Sequence, residues 1–353
     1  MTLRLTGRAG SAGIFLVLGG LAASAYGADT VWPSTHWATV DDPAALGWSI
    51  EKLRKAEEYT RAYNATGVMI VQDGKVVASW GEVSHKANVR SARKSLLSAL
   101  YGIGVADGRI RLDQTLGELG IDDRPPSLSE SEKQATIRDL LMMRSGVYHP
   151  AAYEGPGIAE RRPQRGSHPP GTFWYYNNWD VNTLGVIYEK LVGSSVFQDF
   201  ERRIAQPIGM EDFSVSDGVP VLEPSSEYPA YTFRLTVRDL ARFGWLYLNR
   251  GAWAGAQIIP ADWIDESTKS WSRGDRGLDY GYLWWVLPAG AWGDPSLQGA
   301  YMALGYGGQS LAVIPVLHLV VAQLIDVKEG QERIAGPPEF VELLRLIMAA
   351  AGS

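Results

Sequence analysis

Ser91 and Lys94 stand three residues apart in Val89-Arg90-Ser91-Ala92-Arg93-Lys94-Ser95-Leu96-Leu97. On a helix that spacing puts both side chains at neighbouring points of one face. A serine hydroxyl beside a lysine amine is a nucleophile beside a possible base. An amine held among apolar groups gives up its proton more readily than one in water. Leu96, Leu97, Leu100 and Ile103 recur at three-and-four spacing, which predicts a helix with one buried face that starts close to Ser91. The positive end of such a helix favours negative charge developing at the serine. The plainer alternative is a capping serine and a lysine whose stem lies along apolar surface.

The spacing alone proves little, because it occurs twice. Ser49-Ile50-Glu51-Lys52 has it too, and there the serine fits a helix N-cap and the lysine a polar face. Two further stretches carry possible chemistry. Tyr175-Tyr176-Asn177-Asn178 follows Pro169-Pro170-Gly171-Thr172. Tyr176 there offers a proton relay, and Asn178, two residues on, an amide for a substrate carbonyl. The alternative is a buried aromatic loop. Tyr247-Leu248-Asn249 repeats the spacing inside a predicted helix and is read as structural. In Leu304-Gly305-Tyr306-Gly307-Gly308-Gln309-Ser310, glycines close a strand and let a substrate approach the backbone. A free edge amide there can act as an oxyanion donor, although an ordinary glycine turn would look the same. No Gly-Lys-Ser/Thr follows, so this is not a phosphate loop.

Other catalytic plans find less support. The chain has no Gly-x-Ser-x-Gly elbow. Its histidines, His36, His85, His149, His168 and His318, are scattered without metal-ligand spacing. A Ser-His-Asp triad stays open, but no pattern points to one. With no cysteine, thiol catalysis, disulfides and cysteine metal sites are excluded. The reading therefore includes neither a metal nor a cofactor.

The elements that must position these groups follow from periodicity and turn residues. Ser49 caps an amphipathic helix over residues 50–63, with Ile50, Leu53, Ala56 and Tyr59 or Tyr63 expected inward. Strands are predicted over 67–71 and 75–80, joined at Asp73-Gly74, a pair that accepts positive φ. The Ser91 helix should stop at Asp107-Gly108. Residues 109–225 read as helical and loop-rich, with a short helix in 136–143, a long proline-rich loop over 147–170 and an amphipathic helix over 182–192. A loop that long in a compact domain is usually functional or mobile. Helices follow over 236–249 and 261–267, strands over 282–286, 300–304, 310–313 and 318–325, and a last helix over 338–350. Strands gathered at both ends imply one sheet made from both chain termini, with the helical middle as a second lobe.

The 353 residues are 46% hydrophobic and 20% charged, a globular composition. The net charge of −6 without a basic patch argues against nucleic acid as a partner. Arg4 and Arg8 precede an apolar run over 14–23 and Ala23-Ser24-Ala25, a small-x-small pattern. Residues 1–25 thus read as a signal peptide, too short for a comfortable membrane span, and the expected location is periplasmic or secreted, with no stable membrane insertion after cleavage.

Taken together, the three motifs resemble the serine β-lactamase and penicillin-binding-protein superfamily. Ser-x-x-Lys on a helix after a hairpin, then Tyr-x-Asn, then a glycine-ended strand match in order and rough spacing. Residues 136–146, Pro207-Ile208-Gly209-Met210 and Tyr280-Gly281-Tyr282-Leu283-Trp284-Trp285 resemble flanking family segments. The likeness covers about residues 50–350 and is greatest to the class C-like branch with its esterases and 6-aminohexanoate-oligomer hydrolases.

It implies an α+β fold: an α/β sandwich lobe, about 45–90 and 230–353, with an antiparallel sheet flanked by helices, and an all-helical lobe, about 91–229, within a hydrolase domain over 29–353. It also implies roles. Ser91 would be the acyl-accepting nucleophile, Lys94 its base, and Tyr176 the proton shuttle to the leaving group. Asn178 would bind substrate alongside Gly305, Tyr306 and Gly308, with the amides of Ser91 and Tyr306 as oxyanion hole. Where β-lactamases carry Lys-Thr-Gly, this chain has Ala303-Leu304-Gly305, so the cation that helps hold a β-lactam carboxylate is missing. The expectation is an exported serine hydrolase for a small-molecule ester or amide. The alternatives are a β-lactamase or D-Ala-D-Ala carboxypeptidase, its cation supplied by Arg161, Arg162 or Arg165, and a non-catalytic binding protein on the same fold. Arg93, between serine and lysine, stands where the family usually has a small or polar residue.

Overall fold

The computed structural model describes residues 30–155, 157–290, 294–327 and 335–351. The proposed signal segment lies outside them. Among the described residues no helix is long and apolar enough to cross a membrane.

The chain is α+β, and its sheet is made from both ends of the sequence. Strand Gly67–Gln72 pairs with Lys75–Gly81 on one side and with Leu319–Leu324 on the other. Gln309–Ile314 and Tyr301–Gly305 continue the antiparallel order, and short strands extend both edges to nine in all. The hairpin at Asp73-Gly74 forms because both residues take positive φ, 50° and 80°. That is the backbone a two-residue turn needs to follow strand twist.

Side chains alternate across the sheet. Val68 and Ile70 pack with Leu53 and Ala56 of helix Ile50–Arg61 and with Phe340, Leu343 and Ile347 of helix Pro337–Ala351. Met69 and Val71 face the opposite way, into the larger core that holds helices Arg93–Ala106 and Val237–Leu248. Leu319–Leu324 is buried on both faces, as a central strand must be. Gly244 lets its helix lie close to the sheet, since a Cβ there would come 2.6 Å from Val320.

Several expectations need correction. Ile50 is 40% exposed rather than inward; Leu53, Ala56 and Thr60 carry the buried face. The helix expected over 182–192 is Trp179–Val192 and is buried on nearly every side, so it is a core helix rather than an amphipathic one. The Ser91 helix is likewise buried from Arg93 through Gly104, not along one face. Strand 282–286 shrinks to Trp285–Val286, because Leu283 takes φ 63° and Gly281 N–H closes a turn onto the Trp284 carbonyl. The mainly helical middle hides Gly218–Val221, which pairs with strand Ala230–Leu235. That strand also holds Ala87–Asn88, just ahead of Ser91.

Candidate active site

Ser91 sits in a single 3-10 turn, Arg90–Ala92, between strand Ala87–Asn88 and helix Arg93–Ala106. The turn is held from its start: the Asn88 side-chain oxygen accepts the Arg90 N–H at 2.9 Å. Arg90 takes φ 50°, a left-handed conformation costly for a side chain of that size. The strain sits one residue before the nucleophile candidate, where it redirects the chain from strand into helix.

Lys94 lies one turn into the buried helix and is 1% exposed. Its Nζ is 3.1 Å from Ser91 Oγ and 2.7 Å from Asn178 Oδ1. The Tyr176 ring centroid is 4.7 Å from the same nitrogen. Burial pushes the Lys94 amine well below the ordinary lysine range, and the neighbouring Arg93 charge pushes it further. Burial raises the Tyr176 phenol, while a hydrogen bond with Ser91 acts in the opposite direction. The structure therefore gathers Ser91, Lys94, Tyr176 and Asn178 around one point.

The two asparagines divide the work. Asn177 Oδ1 accepts the Asp180 N–H at 2.8 Å and its amide donates to the Tyr175 carbonyl, so it shapes the start of helix Trp179–Val192. Asn178 instead spans the site: Oδ1 takes Lys94, and Nδ2 donates to the Tyr153 carbonyl. Tyr175 is tied down through its hydroxyl to the Ile158 carbonyl. Tyr176 stacks on Trp285 at 5.3 Å and meets Tyr280 edge-on.

Strand Tyr301–Gly305 forms the other wall. Gly305 lies so close to the nucleophile turn that a Cβ would fall 2.4 Å from the Val89 carbonyl oxygen. Gly307 and Gly308 take φ 83° and 89°, which leaves the turn to glycine. Gly305, Tyr306 and Gly307 line the cleft. Gly308 packs against Ile325 and Ala335, its carbonyl accepts from Gln323, and it serves the turn rather than the cleft wall.

The cleft above Ser91 is open, about 1000 Å³, and aromatic: Phe173, Trp174, Tyr176 and Trp285 stand in its walls. Phe173 and Tyr306 are 41% and 48% exposed at its mouth. Of the three loop arginines expected as substitute cations, only Arg161 lines the cleft, 3.4 Å from Asp275. Arg162 pairs with Glu154 and Arg165 with Glu132. Arg276, not singled out from the sequence, also lines the cleft. No histidine lines it among the described residues.

Both decoys sit elsewhere. Ser49 caps its helix through the Lys52 N–H, and Tyr247 is buried against Trp284.

Tyr153 was missed. Its hydroxyl takes Arg90 Nη1 at 2.5 Å and Asn88 Nδ2 at 3.1 Å, its ring lies under the Arg90 and Arg93 guanidiniums, and its carbonyl takes Asn178. One residue of the long loop thus braces both the serine turn and the asparagine. Its φ of 63°, within a loop, leaves no sequence signal beyond an aromatic among prolines.

The sequence profile of the family described as Beta-lactamase matches residues 37–339. An uncharacterized protein of Alkalihalophilus pseudofirmus is 24% identical over 308 residues, 78% of this chain and 87% of its own. A candidate 6-aminohexanoate-dimer hydrolase from Bacillus anthracis superposes with a TM-score of 0.64 at 22% identity, covering 84% of this chain and 81% of that one. A family VIII carboxylesterase superposes at 0.62 with 17% identity over 85% and 97% of the two chains.

Proposed function

The chain belongs to the Beta-lactamase family, of serine β-lactamase fold, and from that premise we propose that it hydrolyses a small ester or amide through an acyl-enzyme on Ser91. The observation that carries this reading is the position of Lys94 Nζ, 3.1 Å from Ser91 Oγ in a buried site at the floor of the aromatic cleft. Ser91 Oγ attacks the substrate carbonyl carbon and its proton passes to Lys94. The oxyanion lies between the amides of Ser91 and Tyr306, each such donor being worth about 3 kcal/mol in the transition state. The C–O or C–N bond then breaks as the leaving group takes a proton through Tyr176. Water attacks the acyl-enzyme by the same route in reverse and frees the acid.

The cleft walls favour an apolar or planar group beside the carbonyl, since Trp174, Tyr176 and Trp285 offer flat faces. Alanine and leucine at 303 and 304 leave a β-lactam carboxylate without the strand lysine, so nitrocefin turnover is expected to be slow. The residue pattern of 1–25 supports work outside the cytoplasm.

Ser91→Ala should abolish hydrolysis of a short-chain p-nitrophenyl ester and labelling by a fluorophosphonate probe. Undiminished activity in that variant would overturn the assignment. Absence of labelling in the unaltered protein would favour a binding role instead.

A further inference from the structure

Arg93 lies between the nucleophile and the base in sequence, and it is buried with them. It is 3% exposed. Its Nη2 reaches Asn182 Oδ1 only at 3.4 Å, and its Nε and Nη1 are buried without a hydrogen-bond partner. The guanidinium lies 5.9 Å from the Tyr153 ring centroid. Neither Arg93 nor Lys94 forms an ion pair with a carboxylate among the described residues. Lys94 Nζ meets Asn178 Oδ1 and Arg93 Nη2 meets Asn182 Oδ1, four residues further along the start of helix Trp179–Val192, so two buried cationic side chains lie side by side against one helix face.

Such a pair cannot hold both charges without a large cost, because each is desolvated and each repels the other. Arginine is the group that keeps its proton; lysine is the one that releases it. The difference in intrinsic proton affinity therefore decides which of the two neutralises. The groups around them do not alter that outcome. Tyr153, Tyr176 and Tyr280 surround Arg93, the Arg90 guanidinium shares the Tyr153 ring with it, Ser91 and Asn178 face Lys94 as neutral partners, and the buried Asp180 carboxyl accepts from Ser145.

We propose that Arg93 is a positioning residue that keeps Lys94 in the amine form able to accept the Ser91 proton. Its charge does the work at a distance, from outside the cleft, and its weak hydrogen bonding is what that role needs. A guanidinium neutralised by a carboxylate would exert little field on its neighbour. This rests on the hydrolase reading for its consequence, but not for its measurement. Burial also lowers Arg93's own affinity for its proton, yet an arginine has several units in reserve above neutrality.

The test reads Lys94 directly. In protein labelled with 13C-lysine, the Lys94 side-chain signal is identified by its loss in Lys94→Met, and its titration midpoint is followed by NMR. The native midpoint should lie far below that of a surface lysine. In Arg93→Met, or in Arg93→Gln, which can keep a bond to Asn182, it should rise by about one pH unit or more. The acid limb of kcat/KM for a p-nitrophenyl ester should move alkaline by the same amount, measured in an Asp180→Asn background so that this carboxyl does not contribute. A native midpoint at the ordinary lysine value overturns the proposal, as does an unchanged midpoint in a folded Arg93 variant. A moved midpoint in a protein whose Ser91 takes no probe would sink the hydrolase reading and leave the action of Arg93 on Lys94 standing.

Discussion

Asn178 Oδ1 lies 2.7 Å from Lys94 Nζ, nearer than Ser91 Oγ at 3.1 Å. The asparagine expected to hold substrate is thus the base's own partner. It fixes one N–H of the amine and turns the rest toward the serine, while Tyr153 fixes the asparagine. Asn178→Asp keeps the shape and adds a carboxylate at that distance. An opposite charge so close raises an amine's pKa by about 1–3 units. Lys94 should then stay protonated at neutral pH, and the acid limb of the pH–kcat/KM profile should move alkaline, with about tenfold or greater loss at pH 7.

Tyr176→Phe removes only the hydroxyl. The stack on Trp285 remains, so the melting temperature should change little. Loss of a proton shuttle costs about 10²–10⁴ in rate. The expected result is a fall in kcat with little change in KM for an amide or a poor-leaving-group ester, measured by steady-state kinetics. Because burial raises the Tyr176 phenol, its ionisation should add no alkaline limb below about pH 10.

Gly305→Ala tests the close approach of the strand to the nucleophile turn. The new methyl would meet the Val89 carbonyl at 2.4 Å, and backbone on both sides must give way. Overpacking of this kind costs about 1–3 kcal/mol. Activity should fall by far more than stability, because the displaced parts carry Ser91 and Tyr306. Thermal melts alongside fluorophosphonate labelling rates would show the separation.

Asp180 offers a stability test. It is fully buried, accepts the Ser145 hydroxyl at 2.6 Å, and is pushed up to about 7 by burial. A carboxyl with a raised folded-state pKa contributes stability below its unfolded value of 3.8 that is lost as pH rises toward 7. The ceiling is on the order of 4 kcal/mol at roughly 1.4 kcal/mol per unit. Calorimetric melts of the native chain should therefore fall between pH 4 and 7.5 more steeply than those of Asp180→Asn. Equal slopes would show that the carboxyl is not held neutral.

The sequence by itself determined the parts whose physics is local. Asp73-Gly74 specifies its turn because few residue pairs accept two positive φ angles. Thr136 and Thr236 announce helix starts because each accepts the amide three residues on. The order of Ser91, Lys94, Tyr176, Asn178 and Gly305 pointed to one kind of chemistry, since that combination has few other uses. Tertiary structure decided what depends on distant segments meeting. Which of Asn177 and Asn178 faces Lys94 is set by the Tyr153 carbonyl, from a loop with no periodicity. Whether Arg161 or Arg162 reaches the cleft is set by Glu154, which takes one of them away. Arg93 shows the difference most sharply. Among polar neighbours it would be a surface arginine; its meaning comes from its burial beside Lys94, where no carboxylate of the described residues pairs with it.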